Sequence, residues 1–150
     1  MKNWLIDTNI LSELRRARPE PKVAAFVAAQ PLESLFVSVV TFAEIRFGIE
    51  RAADAARRAE LNDWLTQALR PMFAQRTLPV SEEVMLKWRL LVEAGRKARH
   101  AYSQPDLIIA ATALHCGLTV VTRDAGEFER ARVAVFNPWR DGEGAAVTGS

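Results

Sequence analysis

Two hydrophobic rhythms alternate along the chain. Short apolar runs rich in β-branched and aromatic residues predict strands over residues 3–6, 35–39, 118–122 and 133–136. Residues 77–80 predict a marginal fifth strand, because Pro79 cannot donate to a ladder. Between these runs the apolar positions recur at helical spacing, over residues 8–16, 21–29, 42–51, 53–73, 82–99 and 105–116. The last of these is apolar almost all round and so predicts a buried helix, and Gly117 stands where a helix end favours glycine. Strands alternating with helices predict an α/β fold: a central parallel sheet of four to five strands flanked by helices on both faces.

Composition narrows the class. One hundred and fifty residues suit one domain, assigned to residues 1–140, with a small polar tail at 141–150 expected to be disordered. No apolar run is long enough for a membrane helix, no secretion signal opens the chain, and the single Cys116 suits a reducing compartment. A cytoplasmic protein with no membrane partner is the expectation. Net charge is only +2, yet residues 1–100 carry 16 Lys+Arg against 12 Asp+Glu, and residues 101–150 carry 4 against 6. A basic body beside an acidic C-terminal third suits a polyanionic partner and local cation binding.

The acids then raise a question, because the first apolar strand runs straight into Asp7. Glu44 follows the second strand, Asp124 follows the strand at 118–122, and Asp106 sits in the first turn of the buried helix. Each has an ordinary structural reading. Asp7 suits a helix N-cap, Thr41 and Glu44 have capping-box spacing, Asp106 complements a helix dipole, and Asp124 with Gly126 resembles a turn. Together they point elsewhere, since ligands of an open parallel sheet bind outside the carboxyl ends of its strands. Converging carboxylates repel one another unless a cation joins them, and an all-oxygen set suits Mg²⁺ or Mn²⁺. Such sites activate water against phosphodiesters.

Four stretches, LIDTNILSE from Leu5, VSVVTFAEI from Val37, PDLIIAATA from Pro105 and VTRD from Val121, resemble in order the motifs of PIN-domain ribonucleases, and above all the VapC/FitB-type toxins of bacterial toxin–antitoxin pairs. The resemblance runs from Asn3 to Trp139. It implies a PIN fold and Mg²⁺- or Mn²⁺-dependent RNA hydrolysis leaving a 5′-phosphate and a 3′-hydroxyl. It also implies a catalytic and metal-binding quartet of Asp7, Glu44, Asp106 and Asp124, with Thr8, Asn9 and Thr122 in support. Family members often carry their last acid three residues later, where Glu127 stands here; we assign Asp124 and keep Glu127 as the alternative. The resemblance further implies a small antitoxin covering the acidic pocket, homodimers, and toxin–antitoxin hetero-oligomers.

Arg15, Arg46, Arg96, Lys97, Arg99 and Arg123 are candidate RNA contacts by charge and by nearness to the motifs. Rival classes fit less well. A haloacid-dehalogenase-type phosphotransferase needs a second acid where Asn9 stands, and a receiver domain needs a lysine that no later strand supplies. A non-catalytic α/β nucleic-acid-binding module would leave the acids as caps, and a DNA-cleaving nuclease would use the same site.

Overall fold

The computed structural model describes residues 2–141. Of the tail expected at 141–150 only Asp141 lies within them, and its carboxylate accepts the Asn137 amide at 2.8 Å. Strand β1 (Trp4–Ile6) occupies the middle of the sheet. It is flanked by β2 (Leu35–Ser38) and β4 (Thr119–Val121), and β3 (Thr77–Leu78) and β5 (Val135–Phe136) close the edges in the order β3-β2-β1-β4-β5. All four pairings are parallel, with Leu5 opposite both Phe36 and Val120. Every residue of β1 is buried, as expected when helices cover both faces.

Alternate side chains of β1 feed two cores. Trp4 and Ile6 join Phe26, Phe42, Phe73 and Phe136 beneath helices α1 (Thr8–Arg15), α2 (Pro21–Ala29) and α3 (Val39–Glu50). Leu5 points the other way, to Ile109, Val120 and Phe128, beneath α7 (Gln104–Cys116) and α8 (Ala125–Arg130). Gly117 ends α7 in the left-handed conformation, φ 68°, and its successor's amide bonds back to the Ala113 carbonyl at 2.9 Å.

Several expectations need correcting. Helix α3 begins at Val39, not residue 42: Ser38 Oγ accepts the Val40 amide at 3.0 Å and is the true cap. Thr41 therefore lies inside the helix, buried and with its hydroxyl unbonded, so no Thr41–Glu44 capping box forms. The long helix expected at 53–73 is capped by Asp54, runs as α4 (Ala55–Asp63), and widens into a π-helical segment (Trp64–Leu69) before the short α5 (Arg70–Met72). Pro71 cannot donate to the carbonyl one turn back, a physical reason for a helix to leave its regular ladder there. Helix α6 (Glu82–Lys97) stops two residues early, and α8 was not expected at all.

Candidate active site

The carboxyl end of β1 delivers Asp7 to the rim of the sheet. Its amide still extends the ladder, donating to the Val121 carbonyl at 3.0 Å, while its carboxylate turns to cap α1. Asp7 Oδ1 accepts the Thr8 amide and Oδ2 accepts the Thr122 hydroxyl, both at 2.8 Å. Capping and presentation to the cleft coexist because a carboxylate has two oxygens.

Asn9 ties this acid to the next. Its Nδ2 approaches Asp7 Oδ2 at 3.4 Å, Thr122 Oγ1 at 3.2 Å and Asp124 Oδ2 at 3.3 Å, and its Oδ1 accepts the Arg123 amide at 3.1 Å. Thr122 Oγ1 in turn accepts the Asp124 amide at 3.0 Å. A single network thus fixes Asp7 and Asp124 against the ends of β1 and β4.

These groups open onto a cleft of about 580 Å³, lined also by Glu44 from the second turn of α3 and Asp106 from the first turn of α7. Burial is the main cause that raises the Asp106 pKa, to about 6, with the charges of Asp7, Asp124 and Glu127 adding to it and a Ser103 hydrogen bond opposing. Asp7, only 4% exposed, is also raised, chiefly by burial; the bonds from Thr122 and Thr8 oppose, and Asp124 and Glu44 push further.

Glu127 is differently placed. Its Oε2 meets His100 Nε2 at 3.1 Å, and it shares a narrow hollow with Asp106, Tyr102 and Phe128 instead of lining the cleft. Of the two acids, only Asp124 faces the open space.

Among the basic residues, Arg15 and Arg123 line the cleft, but Arg46, Arg96, Lys97 and Arg99 do not. Helical geometry explains this: Arg46 is on the exposed side of α3, and the 96–99 segment ends α6 beside a different cavity. Glu13 and Trp139 line the cleft without having been assigned a role in it, and Arg16, a further phosphate candidate by its place beside the first motif, joins them. Glu13 is buried, bonded by the Glu20 amide at 2.8 Å and by Arg16 at 3.2 Å, which hold its pKa down. Its signal was its position one turn beyond Asn9 on the same face. The Trp139 ring lies 4.9 Å from the Arg123 guanidinium.

The donor chemistry suits a hard divalent cation, since carboxylate oxygens crowd one cleft and raise each other's pKa. The carboxylates do not form a closed cage: among the described residues, no three His, Cys, Asp or Glu side chains stand in a metal-holding group. An ion such as Mg²⁺ is held by one or two carboxylates and keeps several waters, so an open set is compatible with it.

Known proteins agree with this architecture. Toxin FitB of Neisseria gonorrhoeae is 38% identical over 137 residues, spanning 91% of this chain and 99% of that protein. VapC ribonuclease Y4jK of Sinorhizobium fredii is 35% identical over 135 residues, spanning 90% of this chain and 96% of that one. The crystal structure of FitAcB from Neisseria gonorrhoeae superposes with a TM-score of 0.86 at 37% identity, covering 91% of this chain and 99% of that one. The PIN domain model matches residues 4–134, almost the whole span from β1 to β5 that builds the sheet and delivers its acids to one cleft, and the chain belongs to the PIN domain family.

Proposed function

We propose that this protein is the toxin of a toxin–antitoxin pair, a divalent-cation-dependent endoribonuclease acting in the cytoplasm. One observation carries the reading: Asp7, Glu44, Asp106 and Asp124 line a single cleft at the carboxyl end of a parallel sheet. The likeness to a protein named as a VapC ribonuclease supports RNA as substrate, and the likeness to one named as a toxin supports the biological role.

Asp7 and Asp106 would hold Mg²⁺ or Mn²⁺ directly, with Glu44 and Asp124 completing the site through the ion or its waters. When bound, such an ion makes water a nucleophile at neutral pH and offsets charge on a phosphoryl oxygen. Thr122 and Asn9 keep the Asp7 and Asp124 carboxylates in fixed orientations through the bonds described above. Arg15, Arg16 and Arg123 grip phosphates to either side of the scissile one and keep the polyanion from being repelled by the acids. Trp139 holds the Arg123 guanidinium at the lip.

A small antitoxin whose segment covers the acidic cleft completes the proposal, with homodimers and toxin–antitoxin hetero-oligomers. Leu86 and Leu90, one turn apart on α6 and 62% and 55% exposed, support such association, because neighbouring exposed apolar side chains favour a partner.

The test is cleavage of a mixed RNA pool by antitoxin-free protein, with Mg²⁺ or Mn²⁺ against chelator. Cutting only with the ion, and its loss in Asp106→Asn, is expected. Folded protein that neither cuts nor binds Mn²⁺ overturns the reading.

A further inference from the structure

A second cavity, of about 350 Å³, lies on the other side of the first turn of α7. Consecutive residues divide the two spaces: Ser103 and Asp106 line the acidic cleft, whereas Gln104 and Leu107 line this cavity. Its character is the opposite of the cleft's. Arg96, Arg99, His100 and Tyr102 supply the rest of its polar and aromatic wall, and the cavity has no acidic lining residue.

The wall is built with care. Gly95 is buried inside α6, and a Cβ there would lie 2.9 Å from the Tyr102 ring and 3.0 Å from the His100 carbonyl oxygen. Only glycine lets the 100–102 segment fold back against the helix. The reversal runs through Arg99 in the left-handed region, φ 57°, and the His100 amide closes it on the Gly95 carbonyl at 2.8 Å. His100 and Tyr102 then pack edge to face, with ring centroids 4.4 Å apart. His100 is fixed through Glu127, and Gln104 Oε1 accepts Trp88 Nε1 at 2.9 Å, which anchors the amide and leaves its NH₂ as a donor.

We propose that this cavity is a nucleotide subsite. It receives one base of the RNA strand, next to the nucleotides held in the acidic cleft, and gives the enzyme its base preference. A flat base has apolar faces and a polar edge, and the cavity offers aromatic and aliphatic surface with one oriented amide. Arg99, which makes no ion pair among the described residues, and Arg96, shared with Glu93 at 3.3 Å, receive the attached phosphate. The strand passes between the two cavities across the first turn of α7. RNA as the polymer rests on the ribonuclease reading above.

The test pairs binding with cut-site mapping. Fluorescent random-sequence RNA hexamers are titrated against wild type, Arg99→Asn with Gln104→Ala, and Lys97→Ala. Asn tolerates the left-handed backbone at position 99. The structure removes Lys97 from the candidate RNA contacts, since it is exposed and lines neither cavity, and it therefore controls for basic charge alone. The double variant is expected to bind hexamers about tenfold more weakly than wild type, with Lys97→Ala little changed, given what one stacked and hydrogen-bonded base contributes. Sequenced ends from a random RNA pool should show a preference at one fixed position from the cut that flattens in the double variant alone. Equal hexamer affinity and an unchanged cut-site profile overturn the subsite, and so does an equal loss in Lys97→Ala. Hexamer binding that depends on Arg99 and Gln104 in a protein that cuts no RNA keeps the subsite and removes the ribonuclease reading.

Discussion

Trp4 and Asp7 lie three residues apart, at opposite ends of the same central strand, in opposite physical situations. Around Trp4 every interaction favours the fold. Its ring meets Phe26 edge-on at 5.0 Å, Phe26 stacks on Phe136 at 4.6 Å, and the indole N–H donates to Gln30 at 3.1 Å. Around Asp7 the fold works against itself, since burial and neighbouring acids disfavour the charge that its hydrogen bonds support. The amino end of the sheet is built for stability and the carboxyl end for binding, and sites of this kind are where locally unfavourable choices persist.

Substitutions at the two ends should therefore differ in kind. Phe26→Ala, in the aromatic cluster, is expected to cost about 3–5 kcal/mol in chemical unfolding, while leaving RNA cleavage intact at temperatures where the variant stays folded. Asp124→Asn should keep the stability and lower kcat by about a hundredfold or more, whereas Glu127→Gln, bonded to His100 away from the cleft, should stay within about threefold. Equal losses in the two would erase the distinction between cleft and hollow. Thr122→Val takes the donor from Asp7 and the acceptor from the Asp124 amide at once, and should cost about 1–3 kcal/mol in thermal unfolding as well as activity. It is the one change expected to damage both properties, because Thr122 belongs to both the strand end and the site.

The two regions were also unequally legible in the sequence. The strands and the Gly117 stop could be read because local propensity and tertiary packing agree there. The start of α3 could not, since Val39 and Val40 continue the β-branched run of β2 and only the Ser38 hydroxyl, capping the Val40 amide, turns them into a first helical turn. The quartet of acids was readable as motifs, and the mutual repulsion of converging carboxylates followed from it. The burial of Asp7 and partial burial of Asp106 were not readable, because they depend on contacts between residues about a hundred positions apart. Glu13 escaped because its amide and guanidinium partners make an internal acid look like one more surface charge. Arg96 and Arg99 were placed near the wrong cavity: proximity in sequence to Asp106 does not reveal on which side of α7 a side chain lies.

The smallest effect is the most telling, because its sign is unusual. With a folded pKa of about 6 against an ordinary 3.8, Asp106 binds its proton more tightly in the folded state. The fold therefore loses stability as pH rises from below the ordinary value through about 6. Asp106→Asn removes that penalty, so in chelator the variant should be more stable than wild type by about 1 kcal/mol at neutral pH, after discounting for solvent screening. The advantage should shrink through pH 6 and vanish near pH 4. The decisive measurement is thermal unfolding of wild type and Asp106→Asn across this pH range, with and without Mn²⁺, beside RNA cleavage by the same preparations. The account predicts a variant that is more stable without the ion, less stabilised by it, and inactive. A variant that is less stable in chelator, equally stabilised by Mn²⁺ and still able to cut RNA would contradict it.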